Sequence, residues 1–154
     1  MDEYYSVIQF LPEPLRTELK AMPPERAARV QEIRLRAGQA VQFTVGGAWQ
    51  PAQQLLPAAQ TALAIGPRML RSCFTALCRD SAYAYEDELK QGYFTLPGGS
   101  RVGVAGVCGP AGFADITSLN LRVARQVPCV LPPQLCRTLD ALNGGILVVG
   151  TLPG

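Results

Sequence analysis

Histidine is absent from the chain. That excludes Ser-His-Asp and Cys-His nucleophilic catalysis, imidazole general bases and histidine-containing zinc sites. Only carboxylate, thiol, hydroxyl, lysine and arginine chemistry remain. CxxC pairs are also absent, and the five cysteines, Cys73, Cys78, Cys108, Cys129 and Cys136, are odd in number. A disulfide framework or a zinc ribbon is therefore not expected, and no metal site is. Cys73 and Cys78 fall on an apolar helical face, where a reduced thiol acts as a small hydrophobe. Buried thiols suit a reducing compartment, most simply the cytoplasm. No apolar run reaches the ~18–20 residues that span a bilayer. The acidic start, Asp2-Glu3, lacks the basic segment of a signal peptide, so a soluble protein is expected.

Charge is sparse: 17% of residues are charged and the net charge is +2. A nucleic-acid protein normally shows a basic stripe, so no nucleic-acid partner is expected. The arginines Arg34, Arg36, Arg68, Arg71, Arg101, Arg122 and Arg125 are scattered and read mostly as solvated surface groups. What the chain has in quantity is apolar residues, 48% of 154. That suffices for one domain, or one domain with a small appendage.

Residues 4–29 read as helical with interruptions. Val7, Leu11, Leu15, Leu19 and Met22 recur at three- and four-residue intervals. Pro14 suits the first turn of a second short helix, and Pro23-Pro24 should stop it. The period then changes to two: Ile33 and Leu35 alternate with Arg34 and Arg36, and Val41, Phe43 and Val45 with Gln42 and Thr44. Gly46-Gly47 signals a hairpin, with Ala48-Trp49 on the return strand. Residues 50–65 read as a loop. Gly66-Pro67 opens a helix with an apolar stripe of Met69, Leu70, Cys73, Phe74, Leu77 and Cys78. Asp80-Ser81 breaks it, and a shorter helix carrying Tyr85 and Leu89 ends at Gly92. Strands follow at Tyr93–Leu96, Arg101–Cys108 and Leu119–Ala124. Pro132–Leu142 reads as a helix, and Ile146–Val149 as a short strand buried on both faces.

That last strand runs into Gly150, Thr151, Leu152, Pro153 and Gly154. An apolar strand entering a Gly-containing loop is how a phosphate-binding loop begins, although an ordinary strand and turn would look the same. Either Gly150 or Thr151 could hold the first position of the motif. Its lysine and hydroxyl are not among these residues. Glu86-Asp87-Glu88 points in several directions around a helix and reads as a solvated face, not a metal or catalytic cluster.

Four ordered stretches carry a resemblance: Gln31–Gln39 (QEIRLRAGQ), Tyr83–Leu89 (YAYEDEL), Leu96–Gly106 (LPGGSRVGVAG) and Asp115–Arg125 (DITSLNLRVAR). Together with the start of a phosphate-binding loop, they resemble the stage III sporulation protein AA family, over roughly residues 30–154. That family places an N-terminal region before an ATPase domain similar to the type II and type IV secretion ATPases. The resemblance implies an α/β (α+β) fold: a PAS-like domain with a mostly antiparallel sheet and helices on one face, truncated at the first strand of a P-loop ATPase domain. The boundaries expected are a helical segment over 1–30, the PAS-like domain over 31–128, and a linker helix with the first ATPase strand over 129–154.

By the same resemblance the parent protein is a hexameric ATPase that uses ATP and Mg2+. It would energise a secretion-like channel at the membrane of the sporulating mother cell, from the cytoplasm or peripherally at the membrane. This chain, without the phosphate-binding lysine and catalytic residues, should be inactive alone and bind no ATP. In the related secretion ATPases, arginines from the strands of this domain approach the nucleotide phosphates. Arg122 and Arg101 match best by position, with Arg125 third. Arginine suits that role because its rigid, permanently charged fork pairs with polyphosphate. The alternative is a protein-interaction module that docks on a membrane partner without touching nucleotide.

Overall fold

A computed structural model describes residues 2–56, 63–79, 82–109, 112–125, 130–141 and 144. Three short helices open the chain: α1 (Glu3–Ile8), α2 (Leu15–Lys20) and α3 (Pro24–Ala27). The second helix ends before Pro23-Pro24, as the sequence leads one to expect, but the same pair also starts a third helix, α3. Pro24 takes the first helical position, where its missing N–H costs no hydrogen bond and its fixed φ fits the helix. Strands β1 (Val30–Arg36), β2 (Gln39–Ala40), β3 (Gln42–Val45) and β4 (Ala48–Pro51) follow. Gly46 and Gly47 both have positive φ, +60° and +81°, which the tight β3–β4 turn requires and which a side chain would strain.

The expected loop over 50–65 contains structure. One turn of helix, α4 (Ala52–Leu55), buries Ala52 and Leu55, and β5 (Ala64–Ile65) pairs with β2. Helix α5 (Pro67–Leu77) comes next, then a 3-10 turn (Ala82–Tyr85) and α6 (Glu86–Leu89). The chain then forms β6 (Tyr93–Thr95), β7 (Arg101–Gly109), β8 (Gly112–Arg122) and α7 (Pro133–Asp140). β8 starts seven residues before the expected Leu119, because β7 offers a long hairpin partner that polar residues such as Asp115 can join from the edge.

Six strands form one sheet in the order β4-β3-β1-β8-β7-β6, and every pairing is antiparallel. The fold is thus mixed α+β with an antiparallel main sheet. Alternation puts Ile33, Leu35, Phe43, Phe94, Val102, Leu119 and Leu121 on one face, all fully buried. The N-terminal helices cover that face from one side, with Tyr4 against Phe43 at 6.4 Å between ring centroids. α5 covers it from the other, with Phe74 edge-on to Phe94 at 6.3 Å. Tyr4, Ile8, Leu11, Leu15, Leu19 and Met22 belong to the same core as the strands. The N-terminal helices are therefore part of the domain's interior, and the buried phenol of Tyr4 donates to the Leu19 carbonyl at 2.9 Å. α7 buries none of its residues. The expected strand Ile146–Val149 and the loop residues Gly150 to Gly154 lie outside the described residues.

Candidate functional site

No helix covers the second face of the main sheet among the described residues. Its side chains follow from the register. One row across the strands reads Trp49, Thr44, Glu32, Arg122, Arg101, Thr95. The next reads Pro51, Gln42, Arg34, Asn120, Gly103, Tyr93. Arg36, Ser118 and Ala105 follow. Four arginines and one glutamate give this face a net charge of +3, more than the +2 of the whole chain. Arginines that looked scattered in the sequence are gathered by strand register onto one surface.

Arg101 and Arg122 are direct cross-strand partners on β7 and β8, and both are exposed. Like charges placed directly opposite destabilise a strand pair. The one carboxylate beside them, Glu32, sits opposite Arg122 on β1. Its Oε2 accepts from Thr44 Oγ1 at 3.1 Å and lies 4.0 Å from Arg34 Nη2. Two of the arginines lie over aromatic rings. Arg34 is 3.6 Å from the centroid of Trp49, and Arg101 is 5.2 Å from that of Tyr93. Stacking holds a guanidinium plane in place and leaves its N–H groups available at the edge. Among the described residues none of Arg34, Arg36, Arg101 and Arg122 donates a hydrogen bond, whereas Arg26, Arg71 and Arg125 all do. Asn120 adds a buried Oδ1 with no partner among the described residues.

Arg125 stands apart from this face. Its Nε donates to the Val30 carbonyl at 2.9 Å. Nη1 donates to Asp2 Oδ2 at 3.0 Å and Glu3 Oε2 at 3.1 Å, and Nη2 to Asp2 Oδ1 at 3.2 Å and to the Ala27 carbonyl. The fork ties the exit of β8 to the start of α1, the end of α3 and the start of β1. Asp2 also caps α1 by accepting from Tyr4 N at 2.9 Å. Burial pushes the Asp2 carboxyl up, but the Arg125 hydrogen bond, the Tyr4 N–H and the charges of Arg125 and the N-terminus outweigh it and hold it below its ordinary value. Ser100 makes a second tether: its buried Oγ accepts from Ala124 N at 3.1 Å. Of the three arginines singled out from sequence, the structure brings Arg101 and Arg122 together and engages Arg125 in a clamp. Trp49 and Asp2 were missed as partners, because only the register of β1 against β3 and β4, and the fold of α1 onto the sheet, bring them to their arginines.

The acidic run behaves as expected of a solvated helix. Lys90 Nζ reaches Asp87 at 3.0 Å and Glu86 at 3.5 Å, and Glu88 accepts from Thr95 N at 2.8 Å. No group of three or more Cys, Asp or Glu residues among those described could hold a metal ion. A cavity of ≈ 180 Å³ between α1 and the β6–β7 turn is smaller than the ~300–1,000 Å³ usual for ligand pockets, and a larger but shallow, open groove of ≈ 510 Å³ runs along α5 beside Arg68, Arg71 and Thr75. No helix among the described residues is long and apolar enough to cross a membrane.

Comparison with known proteins places these features in a family. The family model described as "Sporulation stage III, protein AA" matches residues 1–138, which includes the N-terminal helices as well as the motif-bearing strands. Stage III sporulation protein AA of Bacillus subtilis (strain 168) is 34% identical over 134 residues, covering 84% of this chain and 41% of that protein. The chain therefore spans less than half the length of this relative. Two solved structures show lower similarity. The ATPase DotB of Legionella pneumophila matches at 14% identity and a TM-score of 0.42, covering 72% of this chain and 30% of DotB. The VirB11 ATPase of the Brucella suis type IV secretion system matches at 18% identity and a TM-score of 0.43, covering 97% of this chain and 40% of VirB11. Likeness at that level carries no further argument. The family match and the curated relative do: this chain belongs to the sporulation stage III protein AA family.

Proposed function

We propose that this domain is the regulatory and assembly part of a sporulation ATPase, and that Arg122, helped by Arg101, reaches the phosphates of a nucleotide held by an ATPase domain. The observation that carries the reading is the cross-strand Arg101–Arg122 pair, two like charges in direct register on a sheet face that no helix covers among the described residues. Their mutual repulsion costs stability, and a polyphosphate would convert it into attraction. Strain of this kind is most often kept where function needs it. Arg125 takes a different part: its clamp fixes the segment that leaves β8, three residues beyond Arg122, and so helps hold Arg122 in place.

In this reading the body of the chain is the PAS-like domain that precedes the motor in secretion ATPases. The whole protein assembles as a hexamer, uses ATP with Mg2+, and works in the mother cell against a membrane-associated channel. The histidine-dependent acyl transfer and zinc chemistry that this chain excludes is not needed, because phosphoryl transfer relies on positioning and charge stabilisation. The test is steady-state ATP turnover by the whole family protein. Arg122→Ala should lower kcat by on the order of a hundredfold or more, with KM changed little. Arg101→Ala should have a smaller effect. Turnover equal to the native rate in a folded Arg122→Ala protein would end the proposal.

A further inference from the structure

The sheet face that no helix covers among the described residues is wider than a nucleotide needs. Six strands at about 4.8 Å spacing span roughly 24 Å, and Arg101 and Arg122 occupy only the β7–β8 part of it. The β1–β3–β4 half has its own features: Arg34 lying on Trp49, and Arg36 two residues along β1. Trp49 is 45% exposed, the largest aromatic surface left open on this face. Tryptophan and arginine are the residues most often found as energetic anchors of protein interfaces.

We propose that this half of the sheet docks an extended, acidic peptide segment of a partner protein. This goes beyond the nucleotide reading and does not depend on it. Two observations select the occupant. First, charge: Arg34 and Arg36 project from the same face; Arg36 makes neither hydrogen bond nor ion pair among the described residues, and Arg34 has only a long 4.0 Å pairing with Glu32, which also accepts from Thr44. Second, spacing: Arg34 and Arg36 are two residues apart on one strand, about 6.8 Å, the same repeat as alternate side chains of an extended peptide. Acidic residues at alternate positions would meet both forks.

A single-stranded nucleic acid fits less well. Sheet-face binders of that class stack bases on open aromatic rings. Here the guanidiniums of Arg34 and Arg101 already lie over Trp49 and Tyr93, in the place a stacked base would take. A stacked guanidinium instead presents its edge, which is the geometry for a bidentate carboxylate.

Trp49 is the one tryptophan of the chain, so its emission reports this patch directly. The experiment titrates the purified chain with an alternating Glu-Thr peptide, a Lys-Thr peptide of equal length, and an oligothymidylate, at low and raised salt. The proposal expects the Glu-Thr peptide alone to shift Trp49 emission, with affinity falling as salt rises. Arg36→Ala should weaken that binding about tenfold, and Arg34→Lys should weaken it despite keeping the charge, because the planar fork is lost. Circular dichroism would establish that both variants are folded, and Arg68→Ala on α5 should bind as the native chain does. No emission shift with the Glu-Thr peptide would overturn the proposal. So would a stronger response to oligothymidylate, or Arg34→Lys and Arg36→Ala proteins that bind the Glu-Thr peptide unchanged. None of these outcomes involves ATP turnover, so failure here leaves the Arg122 reading to its own test.

Discussion

Replacing Arg125 by alanine removes one side chain and five hydrogen bonds that join four segments of the chain. The Arg125 side chain is 19% exposed and that of Asp2 23%, so the pair is only partly shielded from water. Hydrogen bonds to charged groups contribute about 1.5–3 kcal/mol each, but they share one side chain and do not add. The Glu3 contact is half exposed and adds little. Removing the arginine also leaves the Asp2 carboxylate without its counter-charge and two carbonyls without their donor. We expect a loss of about 2–4 kcal/mol, below the upper range for a fully buried ion pair. Urea unfolding followed by circular dichroism measures it: the midpoint should fall by about 1–2 M with little change in slope. Arg125→Lys should recover less than half, since ammonium cannot make the fork. The pH dependence has a definite sign. The Asp2 carboxyl is held below its ordinary value of 3.8, so its contribution is full above that value and is lost as pH falls through the lowered one. The Arg125→Ala protein should lack that portion of acid sensitivity. A midpoint within about 0.2 M of native would refute the clamp as a stabilising element.

Two further outcomes follow from local geometry. Gly106→Ala would place a Cβ 2.0 Å from the Asp115 carbonyl oxygen across the β7–β8 bulge. Backbone must move there, so the variant should lose about 2 kcal/mol or more, read as a drop in thermal midpoint. Thiol reactivity should separate by burial: Cys73 is pushed up to about 12 and Cys78 to about 11, both by burial, while Cys108 is exposed. Alkylation near pH 8, mapped by mass spectrometry, should label Cys108 well before Cys73 and Cys78. Equal rates would contradict the packing of α5.

Hydrophobic period made much of the fold legible. The alternation of Ile33 and Leu35 with Arg34 and Arg36 marks β1, and the stripe from Leu70 to Leu77 marks the buried side of α5. Gly46-Gly47 marks the hairpin between β3 and β4. What one-dimensional pattern could not supply was pairing across long separations. Arg122 meets Glu32 and Arg101, and Arg125 reaches Asp2 over 123 positions, only once strand order is known. The concentration of arginine on one face was hidden for the same reason: four charges spread over the sequence converge only through register. The short α4 and β5 were missed because a few residues rich in Gln, Ala and Pro carry no period, and their order comes from burying Leu55 and Ile65 in a core built by other elements.

Binding of a transition-state mimic bears most directly on the role assigned to Arg122. In the whole family protein, ADP with aluminium fluoride imitates the phosphoryl group in flight, while ADP alone does not. If Arg122 meets that charge, Arg122→Ala should weaken the fluoride complex by about tenfold or more and leave ADP affinity within about twofold. Equal affinities for both ligands in native and Arg122→Ala proteins would contradict the account.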